Sequence, residues 1–265
     1  MPRFAISSID DPRIAAYRQL KETNAARREG LFVCEGARLA QRLIESDFSV
    51  VSLLVGERWA DEYISLAGAA PVYVVPDDWV EQILGFNFHR GVLACGQRRP
   101  PLAIDHLCDR LGLRGTIVVC PDVQDPENLG AILRIASAFN AVGAVLGNKT
   151  ADPFSRRVLR VSMGASLRMP IAISDDIASD LKRMADHWRF ERWATVLDTD
   201  ATPLGNLPRP DRLALLFGSE GHGLDRDLVG LCEHRVAIPM APGTDSLNVA
   251  VAAGIFLYEL ALHCR

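Results

Sequence analysis

Short, continuous apolar runs recur along most of the chain, separated by segments with helical spacing. Leu31–Cys34, Val50–Val55, Val72–Val75 and Val92–Cys95 predict strands in the N-terminal part. Thr116–Cys120, Ala144–Leu146, Ala194–Leu197, Leu213–Phe217 and Val236–Ile238 predict strands further on. A run that is apolar at every position needs cover on both faces, so helices must flank the sheets. That pattern is the α/β class with largely parallel sheets.

Arg98-Arg99-Pro100-Pro101 interrupts both helix and strand, because proline lacks a backbone donor. A new apolar strand opens at Thr116. The expected division is a first domain over residues 1–98, a linker over 99–114 and a second domain over 115–265. The longest apolar stretch, Val249–Leu262, holds Glu259 and falls short of the about 20 residues that span a bilayer. Val249, Ala252, Ala253, Ile255 and Phe256 make it apolar on nearly every side. Such a helix is expected to be buried in the core or in a subunit interface.

The 265 residues are 49% hydrophobic and 23% charged, enough to build a core without metals or disulfides. A net charge of −4 excludes a uniformly basic nucleic-acid binder but leaves room for local basic patches. Arg13, Arg18, Lys21, Arg27 and Arg28 cluster in one helix-like segment, and Arg90 precedes the Val92 strand. Glu22 and Glu29 dilute that cluster, so a solvated helix face stands beside the basic-patch reading. The six cysteines include no C-x-x-C pair. They read as buried thiols of a cytoplasmic protein, with no metal site. No apolar signal-peptide core follows Met1-Pro2-Arg3-Phe4, so secretion is not expected.

Three stretches carry candidate chemistry. Asp122–Arg134 follows the Thr116 strand. Asp125 and Pro126 suit a helix start and place Asn128 in the first turn. Arg134 lies six residues later, roughly 120° around the helix at about 100° per residue. The two side chains therefore serve one large target or two different sites. Leu215–Leu224 runs a strand into a glycine-rich loop around Glu220. It lacks the Lys-Ser/Thr of a phosphate loop, and the acid would repel phosphate. His222 reads as a loop residue without a role. Val236–Asn248 leads into the last helix, where Ser246 or Asp245 is expected to cap.

These stretches contain Asp-Pro-x-Asn-x-Gly-Ala-Ile-x-Arg, Gly-Ser-Glu-Gly-x-Gly-Leu and Ile-Pro-Met…Ser-Leu-Asn-Val, in that order. They resemble the three motifs of the SpoU (TrmH-like) family of RNA ribose methyltransferases, of the SPOUT superfamily. Arg160-Val-Ser-Met-Gly-Ala165 resembles a further family segment. Phe32-Val-Cys-Glu-Gly36 and Gly91-Val-Leu-Ala94 resemble the family's substrate-binding domain. Glu127, Ile135 and Asn140 depart from the usual Gly, Thr and Gly, and none removes a reactive group.

The resemblance implies a C-terminal α/β methyltransferase domain with a trefoil knot. It also implies a smaller N-terminal RNA-binding domain like a ribosomal protein. It implies S-adenosylmethionine as cofactor, held by Leu216, Phe217, Gly218, Gly221, Ile238, Met240, Ser246, Leu247 and Asn248. The implied reaction is methyl transfer to a ribose 2′-hydroxyl of structured RNA, ribosomal RNA before tRNA, by a cytoplasmic homodimer. Its catalytic residues map onto Asn128, Arg134, Glu220, Ser246 and Asn248. A guanidinium stays protonated at ordinary pH, so Arg134 suits phosphate binding and alkoxide stabilisation better than proton removal. Arg27, Arg28, Arg90 and Arg160 are the candidate RNA contacts. The alternatives are a tRNA ribose methyltransferase and a non-catalytic RNA-binding protein on the same fold.

Overall fold

The computed structural model describes residues 3–18, 29–84, 91–110, 112 and 114–262. Contacts divide the chain into two units, Met1–Pro100 with Phe154–Arg168, and Pro101–Pro153 with Met169–Arg265.

The first unit holds strands β1 (Arg3–Ala5), β2 (Leu31–Glu35), β3 (Val50–Gly56), β4 (Val72–Val75) and β5 (Val92–Gln97), in the order β1-β4-β3-β5-β2. β4 pairs in parallel with β1 and β3, but β5 runs antiparallel to β3 and β2. This sheet is thus mixed, not largely parallel as its apolar runs predict. Continuous apolarity reports that both faces are covered, and says nothing about strand direction. Phe32, Cys34, Leu53 and Val55 enter one core cluster, with Leu39 and Leu43 of α1 (Ala37–Ile44) and Tyr63 of α2 (Ala60–Leu66). Val33, Leu54, Leu93 and Cys95 enter another, with Ile14, Tyr17 and the Val80 and Ile83 side chains of α3 (Asp77–Leu84). Alternate residues of each strand point to opposite faces, so two buried faces make the run apolar throughout.

The segment Phe154–Arg168 lies inside the expected second domain but packs with the first unit. Leu159 and Leu167 join the Phe32 cluster, and Phe154 packs against it.

The second unit holds β6 (Gly115–Cys120), β7 (Gly143–Gly147), β8 (Ile171–Ser174), β9 (Glu191–Thr195), β10 (Thr202–Pro203), β11 (Arg212–Leu216) and β12 (His234–Ala237). Their order is β10-β12-β9-β11-β6-β7-β8, and every pairing is parallel. The expected linker over 99–114 is part of this unit from Pro101 onward. Ile104, Leu107 and Cys108 fall on one face of α4 (Ile104–Asp109) and are buried, and Leu102 bridges Ala172. Spacing of three and four residues makes that stretch an amphipathic helix rather than a tether. β1 and β10 are too short to show a period, and β8 is a half-covered edge strand. Those three have no counterpart among the predicted strands. The run predicted at Ala194–Leu197 pairs as Glu191–Thr195, leaving Val196 and Leu197 at its end.

Two helices position the chemistry. α5 (Pro126–Ala138) starts at Asp125, whose side chain accepts from the Glu127 backbone N–H. It ends before Asn140, at φ 55°. Asparagine tolerates this left-handed conformation where the family commonly has glycine. α6 (Ile177–Trp188) covers the sheet, with Leu181 and Met184 in the core. α7 (Val249–Leu262) packs against α5 through a face that includes Ala250, Ala253, Phe256, Leu257 and Leu260.

Within the single chain, α7 is not buried all round. Val251, Ile255, Tyr258 and Leu262 are 52%, 38%, 54% and 43% exposed. Their spacing of four, three and four residues places them on one helical stripe.

Candidate active site

The three motif stretches meet at one end of the second sheet. Asn128 sits in the first turn of α5 and is 8% exposed. Its Nδ2 donates to Glu220 Oε1 at 2.5 Å. Asn248 Nδ2 donates to Asn128 Oδ1 at 2.8 Å. Asn248 Oδ1 accepts from the backbone N–H groups of Ala250 at 2.9 Å and Val251 at 3.3 Å. Asn248 therefore caps α7, a role the motif pattern pointed to Ser246 or Asp245. An asparagine fulfils it as well as serine and keeps a donor for another partner.

That donor sets the polarity of the chain. The first N–H groups of a helix can only donate. Asn248 must turn its oxygen to them, which commits its amide nitrogen to Asn128. Asn128 accepts through its oxygen, which commits its own nitrogen to the carboxylate. Glu220 is left with Oε2 outside this chain of bonds.

Glu220 is carried at the tip of a tight loop. The backbones of Ser219 and Gly223 exchange two hydrogen bonds of 3.0 Å. Gly223 adopts φ 68°, a left-handed conformation that a residue without Cβ takes at no steric cost. A Cβ on Gly218 would lie 2.2 Å from the Gly223 carbonyl carbon, so the loop closes only over glycine. His222 remains an exposed loop residue whose N–H donates to Ser219 Oγ.

Beside this junction lies a cavity of about 240 Å³. Of the expected cofactor residues, Phe217, Gly218, Ile238, Met240, Ser246, Leu247 and Asn248 line it. Leu216 and Gly221 do not. Leu216 is a fully buried strand residue whose carbonyl accepts from Thr195 Oγ1 at 2.7 Å. Gly221 lies exposed at the loop tip. Thr195, Val196, Leu197, Val249, Ala252 and Phe256 line the cavity as well. Thr195–Leu197 could have been found from the rule that ligands bind beyond the carboxyl ends of parallel strands.

The donor set decides which cofactor fits. Among the described residues the walls are mainly apolar, no basic side chain lines the cavity, and the one carboxylate is Glu220. A phosphate-bearing cofactor would meet repulsion and no cation. A nucleoside that carries a sulfonium in place of phosphates meets apolar walls and a neighbouring negative charge. Among the described residues, no group of three or more His, Cys, Asp and Glu side chains could hold a metal ion.

Arg134 stands apart from the amide junction. It lies on the exposed side of α5, while Asn128 faces inward. Among the described residues it makes no hydrogen bond or ion pair within the chain. Arg160 belongs to the short helix Arg156–Val161, which packs with the first unit. Arg27, Arg28 and Arg90 lie outside the described residues. Arg13, in the 3-10 turn Pro12–Tyr17, and Arg18, just after it, pair with Asp11 at 2.6 Å and Asp10 at 3.2 Å, which neutralises that part of the expected basic cluster. The buried thiols of Cys95, Cys108 and Cys120 are pushed up to about 12 by loss of hydration, which keeps them protonated and inert.

Residues 115–258 match the model of the SpoU rRNA Methylase family, and residues 11–93 match the MRM3-like substrate binding domain. An uncharacterized tRNA/rRNA methyltransferase of Mycobacterium bovis is 36% identical, covering 94% of this chain and 88% of its own. A similarly named protein of Synechocystis is 31% identical, covering 96% and 92%. The AdoMet-bound rRNA methyltransferase from Sinorhizobium meliloti superposes with a TM-score of 0.86 at 26% identity, over 99% of each chain. A solved RNA 2′-O ribose methyltransferase superposes with a TM-score of 0.79 at 25% identity, again over 99% of each.

Proposed function

The chain belongs to the SpoU rRNA methylase family, and from that premise we propose that it transfers a methyl group from S-adenosylmethionine to a ribose 2′-hydroxyl of structured RNA, ribosomal RNA first. The observation that carries this reading is the Asn248–Asn128–Glu220 junction beside a mainly apolar cavity that no basic side chain lines among the described residues. The relatives named as tRNA/rRNA methyltransferases and the AdoMet-bound neighbour support it. The 2′-O ribose methyltransferase neighbour supports the choice of hydroxyl.

When bound, S-adenosylmethionine supplies an electrophilic sulfonium methyl. Phe217, Ile238, Met240 and Leu247 hold its apolar parts, and the Gly218 and Ser246 segments bring backbone close to it. The chain's task at the hydroxyl is orientation and charge control. A ribose hydroxyl is a weak nucleophile at neutral pH and builds negative charge as its proton leaves. Glu220 turns one oxygen to Asn128 and keeps the other as an acceptor for the ribose. Arg134, unpaired and exposed, binds the target phosphate and steadies the developing alkoxide. Asn128 and Asn248 fix the Glu220 loop.

The protein acts as a homodimer, with the α7 stripe of Val251, Ile255, Tyr258 and Leu262 as the self-contact. That arrangement lets the outward Arg134 of one protomer serve a different site from its own Asn128. On this reading the protein works in the cytoplasm, where it meets its RNA. No described helix is long and apolar enough to cross a membrane.

The test offers labelled S-adenosylmethionine with unmodified ribosomal RNA and tRNA separately, followed by alkaline digestion. A 2′-O-methyl group blocks cleavage of its own linkage. Label in alkali-resistant dinucleotides of ribosomal RNA is expected. Label only in mononucleotides would replace the reading with base methylation, and label only in tRNA would change the substrate.

A further inference from the structure

The segment between β9 and β10 carries one wall of the cavity across a neighbouring strand. Thr195, the last residue of β9, pairs with Val236 on one side of β12. Thr202, the first residue of β10, pairs with Val236 on the other side. Residues 196–201 therefore cross β12 at the level of Val236. Val196 and Leu197 of this crossing line the cavity, and Leu197 is 62% exposed. A leucine so exposed is held in place by its backbone rather than by packing. At the start of the crossing the Val196 backbone N–H donates to the Val236 carbonyl at 3.0 Å. At its far end the Ala201 N–H donates to the Asp198 carbonyl at 3.1 Å, closing a turn that carries the Asp198 and Asp200 carboxylates. Arg235 of β12 takes both. Its Nη2 donates to Asp198 Oδ2 and to Asp200 Oδ1, each at 2.6 Å, and its Nη1 to Asp200 Oδ2 at 3.2 Å. The chain that follows Arg235 supplies Ile238 and Met240 to the same cavity. One arginine thus ties the wall that crosses β12 to the wall that continues from it.

We infer that Arg235 is a positioning residue for the cofactor: by gripping Asp198 and Asp200 it fixes the crossing where Val196 and Leu197 wall the cavity. The inference rests on that cavity being the S-adenosylmethionine site. An isolated exposed ion pair contributes little. A planar guanidinium forked onto one carboxylate and shared with a second has the geometry and the charge to order a loop. Ordering the wall before the cofactor arrives lowers the entropy lost on binding. None of the three side chains lines the cavity, so they act on the cofactor through the backbone they hold.

The test measures S-adenosylmethionine affinity by calorimetry on the full-length protein. The variants are Arg235→Gln, Arg235→Lys and Asp198→Asn/Asp200→Asn. Arg235→Gln and the carboxylate variant should each bind about tenfold more weakly, and Arg235→Lys should recover part of the loss. KM for the cofactor should rise by the same factor with kcat near wild type. In the cofactor-free protein, amide exchange over residues 196–201 should be faster in Arg235→Gln than in wild type. Asp198 and Asp200 are exposed, so the carboxylate variant should keep its melting temperature, and a folding defect in Arg235→Gln leaves the test intact. The two variants change charge in opposite senses. Acting on the sulfonium through space, loss of the arginine would tighten binding and loss of the carboxylates would weaken it. Opposite shifts of that kind, or wild-type affinity in both variants, overturn the inference and leave the methyltransferase reading standing. A wild-type protein that binds no S-adenosylmethionine overturns both.

Discussion

Asn248 donates its side-chain amide to Asn128 Oδ1 across 2.8 Å while its own oxygen caps the first turn of the last helix. One asparagine thus joins the start of α7 to the start of α5, and through Asn128 to the Glu220 carboxylate. The direction of every hydrogen bond in that series follows from the helix, whose leading N–H groups accept nothing.

Asn248→Asp separates the two jobs of that residue. Aspartate still caps the helix but has no amide to give Asn128. Its melting temperature should stay near wild type while turnover falls at least tenfold. Asn248→Ala should lose turnover and also about 1 kcal/mol of stability. Thermal melts and methyl-transfer rates on both variants check this; wild-type turnover in Asn248→Asp would show the amide link to be idle.

Arg134→Lys should lower turnover by roughly 10- to 100-fold, because lysine keeps the charge but not the two-pronged donor geometry. The side chain is exposed, so stability should change by no more than about 0.5 kcal/mol. Affinity for S-adenosylmethionine, measured by calorimetry, should hold. A variant as fast as wild type would remove Arg134 from the phosphate role.

Replacing Val251 and Ile255 by aspartate places charges on the exposed α7 stripe and spares Tyr258, whose ring packs on Phe139 at the end of α5. Sedimentation at micromolar concentration should show a dimer for wild type and a monomer for Val251→Asp/Ile255→Asp, with unchanged helical circular dichroism. A wild-type monomer would refute the self-contact.

Acid should weaken the second unit through Glu233. Burial raises this carboxyl, but hydrogen bonds from the Arg192 side chain and backbone outweigh it and hold it below its usual 4.5. Its pairing therefore adds stability that is complete above the usual value and is lost as pH falls through the lower folded value. Urea midpoints of wild type and Glu233→Gln should differ at pH 7 and converge as the carboxyl protonates below pH 4.5. A gap that persists unchanged in acid would rule out the ion pair as its cause.

Much of the fold was legible because apolar runs report burial. The run Ile117–Cys120 is buried at every position, and so is Leu213–Leu216. What such a run leaves out is strand direction, which is why the first sheet is mixed although its strands read like those of the second. Residues 99–114 read as a linker because Pro100 and Pro101 lie at their start. Ile104, Leu107 and Cys108 supply a helical face too short to stand out until a sheet lies beneath it.

The sequence by itself determined the α/β class, the order of the three motifs and the residue types available for chemistry. Local patterning and side-chain identity are written in the order of the residues. Only the tertiary structure decided which of those residues meet. Asn128 and Asn248 are 120 positions apart, and Asn128 and Glu220 are 92. Their contacts depend on where the sheet's crossovers deliver two helix starts and a loop tip. The same holds for Leu216, which the motif suggested as a cofactor contact and the strand pairing turned into the core. It holds also for the arginines, because whether a guanidinium faces a carboxylate, a ring or solvent is set by neighbours that are distant in the chain.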